Sequence, residues 1–138
     1  MRGAPLLLVA AVACGAATAP AAPTPSPRVQ QLNAPGELVD VEAALAPGAV
    51  TVIDFWATWC GACEIAAARL WDEVGADDAI AISKVDIGDG ESAVARHYQI
   101  GALPHLRLYD RAGVLRYVLI GDAAMTAGEV ARRLAAER

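Results

Sequence analysis

Two cysteines separated by two residues, Cys60-Gly61-Ala62-Cys63, follow directly on the run Val50-Thr51-Val52-Ile53-Asp54-Phe55-Trp56-Ala57. The run is rich in β-branched and aromatic residues and has the continuous apolar character of a strand buried on both faces, in the centre of a sheet covered by helices. A chain with this arrangement must build a sheet that delivers a dithiol at one strand end. A C-x-x-C pair serves reversible disulfide chemistry or forms half of a zinc site, and the zinc site normally needs a second Cys or His pair. Outside the pair the sequence offers Cys14 and two isolated histidines, His97 and His105. Redox chemistry is the reading that cysteine arithmetic favours.

Length allows one globular domain: the chain has 138 residues, 56% of them hydrophobic and 20% charged. Arg2 and Arg28 are the only charges before Val29, so nine basic and sixteen acidic groups, a formal −7, fall to the remainder. One lysine and scattered arginines make no basic stripe, which argues against a nucleic-acid partner.

Met1-Arg2 followed by the uncharged run Ala4 to Ala13 reads as an export signal, too short to span a bilayer. Ala11-Val12-Ala13-Cys14-Gly15 is similar to a bacterial lipobox, with Ala11 where a leucine is usual, so residues 1–17 are expected to be a signal peptide with Cys14 as its lipidation site. A soluble leader cut near Ala17-Thr18-Ala19, or an uncleaved anchor, is the alternative. Residues 18–28 hold four prolines and read as a linker with a reach of about 30 Å in extended geometry. The expected location is the periplasmic side of the cell envelope, an oxidising compartment.

Residues 29–138 carry the domain. Val29 to Leu32 reads as a short strand, Gly36 to Ala46 as a short helix with Leu38, Val41, Ala44 and Leu45 on one face, and Ala49 to Ala57 as the central strand. A helix beginning at Cys60 puts Cys63, Ala67, Leu70 and Val74 on one inward stripe. Ile80 to Asp86 is the next strand, Glu91 to Tyr98 a helix, and Leu106 to Tyr109 with Val114 to Ile120 a hairpin turned at Asp110-Arg111-Ala112-Gly113. The last helix is expected from about Met125 to Ala136, with a capping box over Thr126-Ala127-Gly128-Glu129. The order gives an α/β architecture with a mixed sheet between helices.

The stretch Asp54 to Cys63, followed some forty residues later by Ile100-Gly101-Ala102-Leu103-Pro104-His105, resembles the thioredoxin family, and the likeness extends over residues 29–138. The resemblance implies the thioredoxin fold, with helices on both faces of the central sheet, and a protein-disulfide oxidoreductase activity. It implies a cis bond before Pro104, and a substrate-docking surface formed by Trp59, Gly61, Ala62, Leu103 and Pro104. It also implies catalysis by Cys60 and Cys63, with Asp54 as a buried proton relay partnered by Lys84, and no cofactor beyond the redox-active disulfide. The expected partners are protein substrates bearing disulfides or thiols and a membrane-bound redox partner, the domain itself being monomeric.

The residue types can be argued without the family. A free thiol with pKa near ~8.5 is mostly protonated at neutral pH, and a helix N-terminus favours its anion, so Cys60 is the nucleophile. Cys63, one turn on and more buried, is the resolving thiol. Asp54 is odd in an apolar strand, because a buried carboxylate is costly unless it is paired or protonated, and a raised pKa suits proton transfer to a departing thiolate. Its bland alternative is a carboxylate satisfied by water or backbone at a strand end. Trp56 reads as partly core and Trp59 as rim. Lys84 has a solvated alternative, and His97, Arg96, Arg107, Arg111 and Arg116 read as surface groups. Two departures from the family are Ala62, where thioredoxins proper have proline, and Ala68 in place of a mid-helix proline. The first makes the disulfide easier to reduce. Two other classes remain open: a copper-handling module built on Cys60, Cys63 and His105, and a non-catalytic interaction domain.

Overall fold

In a computed structural model of the chain, residues 29–137 are described; the expected signal peptide, Cys14 and the linker lie outside them. The strands are β1 (Val29–Gln31), β2 (Val50–Trp56), β3 (Ile80–Asp86), β4 (His105–Tyr109) and β5 (Leu115–Ile120), and the helices are α1 (Gly61–Val74), α2 (Ala93–His97) and α3 (Ala127–Ala136). They form one sheet in the order β1-β3-β2-β4-β5. β1 and β2 both run parallel to β3, while β4 is antiparallel to β2 and to β5. Parallel neighbours require a long crossover, which α1 supplies between β2 and β3.

β2 occupies the centre, and from Val50 to Phe55 every residue is buried. Alternation sends its side chains to two cores. Val50 and Val52 meet Leu70 and Val74 of α1 and Val130 and Leu134 of α3 on one face. Ile53 and Phe55 meet Val94, Ala95 and Tyr98 with Val41 on the other. Full burial of a side chain such as Phe55 stabilises by about 1.5–3 kcal/mol, so the apolar run selects the central position.

The expected helix over Gly36 to Ala46 is replaced by turns and one 3₁₀ turn at Glu42–Ala44. Gly36 sits at φ +75°. The side chain of Asn33 donates to the Glu37 carbonyl at 2.7 Å and to the Asp86 carbonyl at 3.0 Å. The Tyr98 hydroxyl donates to the Val39 carbonyl at 2.7 Å and accepts from the Val41 amide at 3.1 Å. These partners, Tyr98 a distant one, take backbone groups that a helix would bond internally, and Leu38, expected on the packed face, is exposed.

Two smaller corrections concern helices. In α1 the inward stripe is Cys63, Ala66, Leu70 and Val74, with Ala67 half-buried. The capping box at Thr126 does not form, because the chain enters α3 from a 3₁₀ turn over Gly121–Thr126 and Thr126 lies at φ −100°, ψ 6°, away from the extended geometry of a capping residue. Its hydroxyl donates backward to the Ala123 carbonyl at 2.9 Å. The β4–β5 hairpin turns as expected: Asp110 Oδ1 accepts from the amides of Ala112 and Val114, each at 3.0 Å.

Arg107 departs from its expected place among solvated charges. Its guanidinium packs over the rings of Phe55 and Tyr98, 5.5 and 5.4 Å from their centroids, and donates to the Tyr98 carbonyl at 2.6 Å. The planar, weakly hydrated guanidinium suits such an aromatic shelf. Arg96, Arg111, Arg116 and His97 are exposed. Among the described residues no helix is long and apolar enough to cross a membrane.

Candidate active site

The site stands at the C-terminal end of β2. Cys60 is the N-capping residue of α1, and its Sγ accepts from the Cys63 amide at 3.1 Å. The two cysteines form a disulfide with S–S 2.12 Å and Cα–Cα 5.3 Å. Cys60 is 7% exposed and Cys63 1%, so an incoming group meets Cys60 first. The capping position aims a first-turn helix amide, that of Cys63, at the sulfur that would carry negative charge in exchange.

Trp59, 62% exposed, flanks the dithiol. Its indole donates to the Gly88 carbonyl at 2.6 Å, tying the loop before α1 to the loop after β3. Gly88 has φ +63°, and a Cβ there would lie 3.1 Å from the Gly36 amide nitrogen, so glycine suits the close approach of this loop to the segment after β1. Gly61 and Ala62 are exposed beside Trp59. The Leu103–Pro104 peptide bond is cis. Pro104 is buried and Leu103 half-buried. Because His105 pairs with Phe55 across β4 and β2, Pro104 falls alongside the end of β2 from which the dithiol loop departs.

Asp54 is buried on the α1 side of the sheet, the side toward which Cys63 also turns. Its Oδ2 accepts from Lys84 Nζ at 3.1 Å, the two residues being register partners on β2 and β3. Oδ1 has no hydrogen-bond partner among the described residues. Burial pushes the Asp54 carboxyl above its ordinary range, and the neighbouring Lys84 ammonium, through its charge and its hydrogen bond, opposes that rise without cancelling it. A cavity of about 140 Å³ adjoins the carboxyl between α1 and the outer strands, with Ala67, Leu70, Trp71, Ile82 and Val29 on its walls. Such a carboxyl is suited to take up a proton and release it.

His105 points to the opposite face, edge-on to the Phe55 ring with centroids 5.5 Å apart. Its Nε2 accepts a long hydrogen bond from Arg107 at 3.4 Å, and Nδ1 has no partner among the described residues. Burial, helped by the positive Arg107, lowers it from 6.5 to about 4, which leaves the ring neutral at physiological pH. Among the described residues no three His, Cys, Asp or Glu side chains are grouped to hold a metal ion.

One group beside the acid, Gln31, was not singled out from sequence, nor was the contact of Trp56 with Lys84. Trp56 donates its indole N–H to Gln31 Oε1 at 3.1 Å, and Lys84 Nζ lies 4.8 Å from the centroid of the Trp56 ring. The alignment of β1 with β3, which sets Gln31 opposite Lys84, is the signal that would have linked them.

A sequence profile of the thioredoxin family matches residues 40–125. The thioredoxin of Mycolicibacterium smegmatis is 39% identical over 71 residues, 49% of this chain and 62% of that protein. The thioredoxin of Mycoplasma pneumoniae is 33% identical over 60 residues, 44% and 58% of the two chains. The chain thus spans about six-tenths of the length of these relatives. Among solved structures, Malassezia sympodialis thioredoxin superimposes with a TM-score of 0.60 at 22% identity, over 78% of this chain and 94% of that one. Reduced Schistosoma mansoni thioredoxin gives 0.59 at 26% identity, over 77% and 97%.

Proposed function

Because the chain belongs to the thioredoxin family, we propose that it is a thiol-disulfide oxidoreductase that acts on protein disulfides in the cell envelope, in the reducing direction. The observation that carries this reading is the Cys60–Cys63 disulfide at the mouth of α1, with its more accessible sulfur on the capping residue. In the reduced protein, the Cys60 thiolate attacks one sulfur of a substrate disulfide. That bond breaks, one substrate thiolate leaves, and a Cys60–substrate disulfide forms. Cys63 loses its proton to Asp54 and attacks the Cys60 sulfur, so the second substrate thiolate leaves. Two electrons have then passed to the substrate, and the intramolecular disulfide is restored. What supports this role for Asp54 is an oxygen with no donor among the described residues and a carboxyl whose proton affinity burial raises. Trp59, Gly61, Ala62, Leu103 and Pro104 form the proposed docking surface.

A reductase outside the cytoplasm must be recharged, and the chemistry calls for a membrane-bound dithiol donor. Export through residues 1–17 and lipidation at Cys14 would hold the domain, as a monomer, beside such a donor. Metabolic labelling with a radiolabelled fatty acid tests the anchor: label should enter the wild-type chain and not Cys14→Ser, and an unlabelled wild type would refute it.

The deciding experiment is the reduction potential of the Cys60–Cys63 pair, titrated against a thiol buffer and read by thiol trapping. A value near or below about −250 mV supports the reductase, and one above about −180 mV indicates an oxidase or isomerase. Absence of any reversible two-electron transition refutes the oxidoreductase reading and returns the dithiol to a structural role.

A further inference from the structure

The proton-handling acid is braced from the edge of the sheet. Gln31 on β1, Lys84 on β3 and Asp54 on β2 are register partners in one row across three strands. Trp56, two residues beyond Asp54 on the same face of β2, closes that row from above. Its indole donates to Gln31 Oε1 at 3.1 Å, its ring lies 4.8 Å from Lys84 Nζ, and Lys84 Nζ donates to Asp54 Oδ2 at 3.1 Å. The Gln31 amide has a set orientation, since Nε2 donates to Asn33 Oδ1 at 3.1 Å, leaving Oε1 toward Trp56. Asn33 is itself fixed to β3 by the Asp86 amide at 2.9 Å.

We propose that Gln31 is a positioning residue for the thiol-disulfide exchange: it fixes the Trp56 ring, the ring holds the Lys84 ammonium, and the ammonium sets the proton affinity of Asp54. The proposal rests on the oxidoreductase reading for its purpose but not for its measurement. Lys84 has alternatives that make a brace necessary. Its side chain is partly exposed, so water competes for it, and Asp86 follows on the same face of β3, with its carboxylate accepting from the Gly88 amide at 2.8 Å. Lys84 is the charge that acts on Asp54. The cavity walls from α1, β1 and β3, namely Ala67, Leu70, Trp71, Val29 and Ile82, carry none. A change in how Lys84 is held therefore registers directly at Asp54.

The test follows the Asp54 carboxyl through its titration by carbon-detected NMR in the oxidised full-length protein, in the wild type, Gln31→Leu, Trp56→Phe and the double variant. Trp56→Phe keeps an aromatic ring and deletes its donor. Each single variant loosens Lys84 and should raise the Asp54 midpoint by about half a pH unit, and the double variant should raise it no further than either alone. The pH midpoint for the rate of disulfide reduction should move with it. In a Lys84→Met background, Gln31→Leu should have no effect on the Asp54 midpoint. An unchanged midpoint in Gln31→Leu, a shift that persists without Lys84, or additive shifts in the double variant would each overturn the proposal. A wild-type dithiol that does not exchange reversibly would instead overturn the oxidoreductase reading, and the Asp54 titration would still report on the brace.

Discussion

Replacing Asp54 by asparagine should stabilise the oxidised protein at pH 8 and change little at pH 3. Burial raises the Asp54 carboxyl above its ordinary 3.8, so the folded protein holds that proton more tightly than the unfolded chain does. Its favourable contribution is complete below the ordinary value and is lost as pH rises through the folded-state value. Above that, the native state contains a carboxylate with one oxygen on Lys84 and the other without a hydrogen-bond partner among the described residues. Exchanging a buried ion pair for neutral groups of like volume is neutral or stabilising by about 1–4 kcal/mol. Leaving a single charge stranded is normally the larger penalty, but the Lys84 side chain is 23% exposed against 2% for Asp54. The ammonium left behind can turn to water. After allowing for the lost hydrogen bond, Asp54→Asn should gain about 2 kcal/mol at pH 8, on the order of 10 °C in Tm. Lys84→Met is the mirror experiment. It strands the inaccessible carboxylate and should cost about 3 kcal/mol at pH 8, fading as the carboxyl is protonated. Urea and thermal unfolding at half-unit steps from pH 3 to 9 would read both. An Asp54→Asn protein less stable than wild type at pH 8, or an effect independent of pH, refutes the account of a buried, half-satisfied acid.

Cys63→Ser should trap a Cys60-linked mixed disulfide with a substrate protein, visible as a higher-mass band that thiol reductant removes, whereas Cys60→Ser should trap none; equal trapping by both would reverse the assigned roles. Leu70→Ala, which empties a site between α1 and the sheet, should cost about 3 kcal/mol in urea unfolding. His105 is lowered from 6.5 to about 4, so the unfolded chain takes up its proton first and the wild type should lose stability as pH falls from 6.5 toward 4. His105→Phe should flatten that decline, and an equal slope in both proteins would show that the ring is not held neutral.

The parts of the fold that were legible in the sequence are those in which neighbours along the chain decide the outcome. The apolar run of β2 and the cysteine pair at the start of α1 carry their own strand and helix signals, and the Asp110–Gly113 turn carries its own side-chain acceptor. The larger misses were settled in good part by residues far away in sequence. The segment from Gly36 has the spacing of a helix, yet Asp86 and Tyr98, with the nearby Asn33, claim its backbone groups first. Arg107 read as solvated because the aromatic shelf that receives it, Phe55 and Tyr98, is assembled only when β2, β4 and the end of α2 meet. Asp54 and Lys84 were picked out, and they do pair, but the contribution of Gln31 and Trp56 becomes visible only once β1 is aligned beside β3.

The parallel pairing of β1 with β3 has a geometrical consequence. Val29 aligns with Ile82, near the beginning of β3, whereas the dithiol loop leaves β2 beyond the row shared by Trp56 and Asp86. The polypeptide therefore enters the sheet from the pole opposite the disulfide. A domain grafted by its amino-terminal side onto a vesicle, a resin or a sensor chip would present its sulfurs outward, ready to meet whatever diffuses past.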